Sequence, residues 1–317
     1  MRRVDQFQRF GLAVFLILMG GLFGILSPYF LTWDNITNIL IQSAVPIVAA
    51  TGMTLVIATA GIDLSIGSIL ALSSVLMAWC MKTDLGVIPS VVLGIIAGAG
   101  MGVLNGIGIA RLGVSPFIIT LGTAGIFRAL ALIFTEARPI YGLPMGFRIL
   151  GIGGLGPIPL SIALSLIVAL GMYFVLMWTR FGTNARAVGS NLEGAYRMGV
   201  PVSRTLIMVY ALSGVTASLA GLIVTARLNT AEAIAGFGIE LEAIAAVVMG
   251  GTSFFGGEAS IAGTLLGALI IGTLGNGLTI INVPSYYQQL VIGLVFIMAV
   301  LADQMRQAKI PGIITKP

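Results

Sequence analysis

Histidine is absent from all 317 residues. That removes the commonest metal ligand, the usual general base and the usual switch near neutral pH. Cys80 is the only cysteine, so no disulfide can close within the chain and no cysteine cluster can hold a metal or an iron–sulfur centre. Charge is scarce as well: 9% of residues are charged, against about a quarter in a soluble domain. No G-x-x-x-x-G-K-[ST] phosphate loop occurs, so ATP cannot bind here by the usual route. Familiar hydrolytic and redox chemistry is disfavoured, and any work must draw on another polypeptide or on an ion gradient. A proton relay has little to run on, whereas sodium held by backbone carbonyls remains open.

What the chain has in abundance is oil. Hydrophobic residues make up 58%, with a mean hydropathy of +1.08, and membrane is the solvent that fits. A spanning helix takes ~20 apolar residues, and apolar runs bounded by charge, Pro and Gly predict ten crossings, at about 10–30, 36–60, 65–82, 88–110, 115–135, 158–179, 205–227, 239–255, 260–281 and 286–303. The N-terminal run has no small-residue cleavage site and reads as an uncleaved first span. Eleven of the 16 Lys and Arg, among them Arg2, Arg3, Arg9, Arg111, Arg306, Lys309 and Lys316, fall on the N-terminal side of this topology. The other five (Lys82, Arg128, Arg138, Arg148 and Arg227) fall on the opposite side or within a span near it. By the positive-inside rule both termini are expected in the cytoplasm.

An internal repeat is expected. Gly61-Ile62-Asp63-Leu64, Asn105-Gly106 and Val114-Ser115-Pro116-Phe117 return as Gly238-Ile239-Glu240-Leu241, Asn276-Gly277 and Val283-Pro284-Ser285-Tyr286. Order and approximate spacing are kept. An odd number of spans separates equivalent points, so the halves, about 36–135 and 205–303, would face opposite ways, a recurrent device for alternating access. The expected fold is an all-α integral membrane protein: one transmembrane domain over 1–317, a bundle of about ten transmembrane helices with an inverted repeat and a cytoplasmic loop at 180–204.

Several residues stand out against the apolar background. Asp63 lies between two oily stretches beside Gly61, Ser65, Gly67 and Ser68. Such a carboxylate either walls a translocation path at a broken helix or caps the next helix near an interface, and the two are compatible. Glu240 and Glu242 either suit the dipole of a first helical turn or, with Gly250-Gly251 and Gly256-Gly257 downstream, mark a re-entrant or pore-lining break. Gly94, Gly98, Gly102 and Gly106 recur every four residues, echoed by Gly263 and Gly267, and form a groove for another helix. Arg128 either snorkels to the surface or lines a polar route for a hydroxylated solute.

The one long polar, basic interruption is Arg180 to Arg204, RFGTNARAVGSNLEGAYRMGVPVSR. Its Glu193-Gly194-Ala195 followed by Gly199 resembles the Glu-Ala-Ala-x-x-x-Gly pattern of permease subunits in ATP-driven importers, with Gly194 in place of the usual Ala. Together with GMTLVIATAGIDLSIGS, GIELEAIAAVVMGGTSFFGG and the final YYQQLVIGLVFIMAVLAD, it makes the chain resemble ribose-type permeases of bacterial ABC importers, from about residue 25 to Asp303.

That resemblance implies a multi-pass permease of the bacterial inner membrane. Two copies would line a central path, an ATPase would dock on the loop, and a periplasmic sugar-binding protein would deliver a monosaccharide. The implied coupling residues are Gly189, Asn191, Glu193, Ala195 and Gly199. Gly61, Asp63, Leu64 and Ser65 match the family's signature beside the path, and Glu240, Asn105 and Asn276 are further path or gate candidates. Membrane lipid is the remaining expected partner; no catalytic residue, cofactor, metal or nucleic acid is expected. The competing readings are an ABC permease for a nucleoside or an amino acid, an ion-coupled secondary transporter and an integral-membrane enzyme.

Overall fold

The structure, a computed structural model, describes residues 2–83, 85–156 and 158–308; of the charges counted above, Lys309 and Lys316 lie outside them. Thirteen helices and four two-residue strands make up the described chain. The first five helices are α1 (Arg2–Leu26), α2 (Trp33–Ala58), α3 (Ile66–Lys82), α4 (Val87–Ala110) and α5 (Pro116–Thr135). A surface section follows: β1 (Ile140–Tyr141), the short α6 (Met145–Ile152), β2 (Gly154–Leu155) and β3 (Ile158–Pro159). Then come α7 (Leu160–Trp178), α8 (Arg180–Ser190), α9 (Leu192–Arg197), α10 (Val202–Leu228) and β4 (Thr230–Ala231). The chain closes with α11 (Ile239–Met249), α12 (Ile261–Ile280) and α13 (Ser285–Ala308). β1 pairs antiparallel with β4, Ile140 opposite Ala231, and β2 with β3.

A helix lies in each of the ten apolar intervals, but they are not equivalent. Seven (α2, α4, α5, α7, α10, α12 and α13) are long and apolar enough to cross a membrane. The apolar part of α1, Phe10–Leu26, and the whole of α3 are shorter. The largest departure from expectation is at 239–255. There α11 runs for only 11 residues, ~16 Å at 1.5 Å per residue, about half of a ~30 Å hydrocarbon core. Its C-cap is Gly250, and the chain then turns through Gly251, Gly256 and Gly257, all at positive φ.

The most enclosed long helix is α2, with 83% of its most apolar window buried, whereas only 6% of that of α13 is. Around α2 stand α7, α10, α11 and α12. α10 in turn packs on α3, α4 and α6, and α1 closes over α12. The four-residue glycine stripe does what its spacing predicts. A Cβ on Gly102 would lie 2.1 Å from the Tyr210 carbonyl oxygen of α10, and one on Gly98 would strike Ser218. The two backbones meet where any side chain would hold them apart, which is how membrane helices gain packing without a hydrophobic drive. A second, smaller apolar cluster joins Met19, Phe23, Phe30, Ile39 and Ile270.

Candidate functional site

The polar loop folds as two short helices meeting at an elbow. α8 starts at Thr179, whose hydroxyl accepts the Gly182 N–H at 3.2 Å. α9 starts at Asn191, whose side-chain oxygen accepts the Gly194 N–H at 2.8 Å, the usual role of Asn at an N-cap. At its other end the Gly199 N–H bonds the Tyr196 carbonyl and the Val200 N–H bonds the Ala195 carbonyl, both at 3.0 Å. With Gly199 at φ +80, this is a Schellman closure, which calls for glycine. A Cβ at Gly194 would lie 3.1 Å from Asn191 Cγ, so glycine there leaves the cap room. Ala195 is buried beneath α9, while Tyr196 and Met198 are 72% and 85% exposed. Glu193 and Arg197 form an ion pair one turn apart on the exposed side. A groove of about 540 Å³ runs beside it, past Trp178, Arg180, Asn184, Met198 and Pro201.

Gly189, expected beside the other loop residues, sits instead at a crossing of three backbones. A Cβ there would lie 1.9 Å from the Ala58 carbonyl oxygen and 2.8 Å from the Gly257 nitrogen. The Gly257 N–H itself donates to the Ala58 carbonyl at 3.0 Å. A Cβ on Gly256 would meet the Gly189 carbonyl and the Ala60 nitrogen, each at 2.8 Å. The end of α8, the end of α2 and the loop between α11 and α12 are therefore in direct backbone contact.

From Ala60, at φ +59, the chain enters the turn that carries Asp63. Asp63 is fully buried. One carboxylate oxygen accepts the Ser65 N–H at 3.0 Å and the Ser65 hydroxyl at 2.6 Å; the other accepts the Ser213 hydroxyl of α10 at 2.7 Å. The Asn105 amide of α4 donates to Ser65 Oγ at 2.8 Å. The Ile62 carbonyl accepts from the Tyr210 hydroxyl of α10 at 3.2 Å, and the Thr120 hydroxyl of α5, which donates to the Pro116 carbonyl at 2.8 Å, lies 3.3 Å from it. Burial pushes the Asp63 carboxyl above its ordinary value, and the hydrogen bonds from Ser65 and Ser213 hold back part of the rise. Asp63 is thus the hub of a turn stitched to α4 and α10, and Ser65 is the residue before α3 but makes no side-chain cap bond to it. Ser213, Tyr210 and Thr120 carry no motif that would single them out in an apolar helix.

The second break has a different fastening. After Asn229, at φ +57, the segment 230–238 turns back into the bundle through Gly236 and Gly238, both at positive φ. Arg128 of α5 donates to the Ala233 and Ala235 carbonyls at 2.6 and 2.7 Å. Its expected alternatives were the surface or a solute route; its hydrogen bonds are spent on backbone. Glu240 faces α3, where a Cβ on Gly67 would lie 2.8 Å from its carboxylate oxygen and 2.3 Å from the Gly236 carbonyl. Asn276 is buried on α12 with its side-chain oxygen unpartnered among the described residues. The structure joins Asp63, Ser65 and Asn105 in one network and brings neither Glu240 nor Asn276 into it. Among the described residues no cluster of His, Cys, Asp and Glu is placed to hold a metal.

Comparison with known proteins bears on what this arrangement serves. Residues 35–300 match the family described as branched-chain amino acid transport system / permease component. The chain is 44% identical to the ribose import permease of Bacillus subtilis (strain 168), over 95% of this chain and 94% of that one. It is 42% identical to the D-allose transport system permease of Escherichia coli (strain K12), over 94% of this chain and 92% of that one. To the ribose import permease of the same E. coli strain it is 40% identical, over 92% of each chain. No solved structure matches.

Proposed function

Because this chain belongs to that family of transport-system permeases, we propose that it is the membrane subunit of an ATP-binding-cassette importer for a ribose-like monosaccharide. The observation that carries the reading is the near end-to-end similarity to two ribose permeases and one allose permease. The chain supplies the path and not the hydrolysis: ATP is consumed on a separate cytoplasmic ATPase, and a periplasmic binding protein delivers the sugar. Two copies form the path within the bacterial inner membrane, in contact with its lipid. Both termini and the α8–α9 elbow face the cytoplasm; α6 and the two small ribbons face outward.

All ten helices in the apolar intervals count as crossings in this reading, with α11 completed by the segment 230–238 that precedes it. The inverted repeat pairs α2–α5 with α10–α13. Neighbour relations support it: α4 packs on α10 as α12 packs on α2, α3 on α5 as α11 on α13, and α10 on α3 as α2 on α11.

Asn191, Glu193, Ala195 and Gly199 shape the knuckle that the ATPase grips, with Tyr196 and Met198 as its apolar tip. Gly189 passes the displacement on, because three backbones in contact leave no soft side chain to absorb it. The motion reaches the Ala58–Ser65 turn and the loop between α11 and α12, one break from each half. Gly61, Asp63, Ser65 and Asn105 keep the first turn in one shape while it moves; Glu240 and Asn276 belong to the matching region of the second half. ATP binding shifts the bundle only as far as the ATPase's differential affinity for the two states allows.

Reconstituting the chain with its ATPase and binding protein in vesicles tests the reading. Labelled D-ribose should accumulate only when ATP is supplied on the ATPase side, and uncouplers should leave accumulation intact. Uptake that ignores ATP and collapses with an uncoupler would make the chain a secondary transporter. The family description favours one further substrate class, so branched-chain amino acids belong in the same assay; ATP-driven uptake of these in place of sugar would reassign the solute.

A further inference from the structure

The end of the bundle that carries α6 holds a cleft whose lining is out of place in an apolar chain. Asn38 and Gln42 stand one turn apart on α2, both exposed. A cavity of about 540 Å³ runs past Asn38, the Gly151–Gly154 stretch and Arg227. A second cavity, of about 230 Å³, continues past Gln42, Pro46, Arg227, Phe237 and Glu242. Arg227 borders both, so they form successive steps from the α6 loop toward the second break.

The polar groups along the inner step are unspent. Among the described residues the Gln42, Arg227 and Glu242 side chains make no hydrogen bond or ion pair. Pro46 sits inside α2 and lacks the N–H that would bond the Gln42 carbonyl four residues back. Groups of this kind at membrane depth are costly against lipid and are tolerated where they line a wetted cavity. Phe237 presents its ring at the same place, 80% exposed.

Together these groups describe their ligand. Arg offers donors only, a carboxylate acceptors only, and an amide both, a mixture suited to hydroxyls, which give and take hydrogen bonds. The formal charges of Arg227 and Glu242 cancel, which favours a neutral solute over an ion. A ring sugar also has a C–H face that lies flat against an aromatic ring. The inner step is smaller than the ~300–1,000 Å³ pockets of drug-sized ligands and is on the scale of one monosaccharide. Resting on the importer reading above, we propose that this cleft is a transit site, in which a single neutral monosaccharide is held by Gln42, Arg227 and Glu242 with one face on Phe237.

The single native cysteine makes a direct test practical. In a Cys80→Ser background, Gln42→Cys and, as a control at the same end outside the cleft, Tyr29→Cys are probed in membranes holding the assembled transporter, using a small membrane-impermeant thiol reagent. The site requires Gln42→Cys to be labelled and saturating D-ribose or D-allose to slow that labelling at least tenfold, with Tyr29→Cys unaffected. An inert Gln42→Cys, or one that cross-links to a second copy, overturns the proposal: the cleft is then sealed, or it is the seam between copies. Labelling indifferent to sugar, in a transporter that imports ribose with ATP, overturns the transit site and leaves the importer reading standing. Absence of ATP-driven monosaccharide uptake by the unaltered complex overturns the reading itself. As a second measurement, Glu242→Gln should lower sugar delivered per ATP at least tenfold and narrow the preference for ribose over 2-deoxyribose. An unchanged ratio and preference in that variant also count against the site.

Discussion

The Thr59–Ser65 turn and the α8–α9 elbow both interrupt an apolar chain, and they are fastened in opposite ways. The α9 side of the elbow closes on itself: Asn191 caps Gly194, and Gly199 and Val200 bond carbonyls three and five residues behind them. The turn at Asp63 draws on Asn105, 40 residues from Ser65, and on Ser213, 150 residues from Asp63. Solvent explains the contrast. At the elbow water satisfies whatever the local bonds leave over, so a few well-placed residues suffice. Around Asp63 and Ser65, both fully buried, no water is at hand, and the freed polar groups must find protein partners. An exposed joint can therefore be redesigned one residue at a time, whereas a buried one belongs to several helices at once.

The sharpest consequence concerns Asp63. Asp63→Ala removes the acceptor of three hydrogen bonds and strands the Ser65 and Ser213 donors in the interior. At roughly 1–3 kcal/mol for each buried group left unsatisfied, a loss of about 3 kcal/mol or more is expected. It is to be read as a lowered Tm of the detergent-purified protein and a lowered level in the membrane. A variant as stable as the parent would mean that the turn is not held by its carboxylate. Arg128→Leu comes next. It takes two charge-assisted bonds from the Ala233 and Ala235 carbonyls, and such bonds contribute ~1.5–3 kcal/mol each. Because Arg128 is only part-buried, water can reach the freed carbonyls, and β4 stays paired with β1, so the damage should stay local. A cysteine at Ile234 should become several-fold more reactive in that variant while Tm falls less than in Asp63→Ala. A global loss as large as that of Asp63→Ala would erase the distinction between the two breaks.

The same divide decides what could be read from residues alone. The elbow was legible because its determinants are neighbours: Asn191, Gly194 and Gly199 sit within one short stretch, and each residue type suits the backbone it adopts. The glycine stripe on α4 was legible for the same reason, since its spacing is itself the geometry. Asp63 announced itself, but Ser213 and Tyr210 did not; a serine or threonine in an apolar helix usually bonds its own preceding turn, as Thr120 does to the Pro116 carbonyl at 2.8 Å. Thr216, Ser218 and Ser74 do just that. Arg128 was visible as a charge in a span, yet its partners are main-chain carbonyls, which have no sequence signature. The 239–255 interval misled in length because Phe254 and Phe255 carry the apolar character past Gly250 and Gly251, which end the helix at Met249.

Gly199→Val returns to the exposed joint. A residue with a branched side chain at φ +80 costs ~1–2 kcal/mol, paid within α9. Tm of the whole chain should fall by less than in either variant above, and the protein should still reach the membrane. On the coupling role proposed for α9, what should change is the ratio of sugar imported to ATP hydrolysed in the reconstituted transporter. Normal uptake by Gly199→Val would remove α9 from the mechanism.

The smallest structural effect belongs to Glu193→Gln. Among the described residues its carboxylate pairs only with Arg197 of the same helix, and both side chains are more than 70% exposed. An exposed pair four residues apart contributes about 0.3–0.5 kcal/mol, too little to move Tm measurably. If Glu193 served the fold alone, the variant would be silent in every assay. If α9 is the surface that the ATPase grips, losing one charge at its centre weakens docking instead, and raising the salt concentration should close the gap between variant and parent, because exposed charges are screened. An unchanged Tm with a several-fold, salt-sensitive loss of ATPase association is the expected result. Equal association at low salt would assign the grip to Tyr196 and Met198 and leave the carboxylate without a part in it.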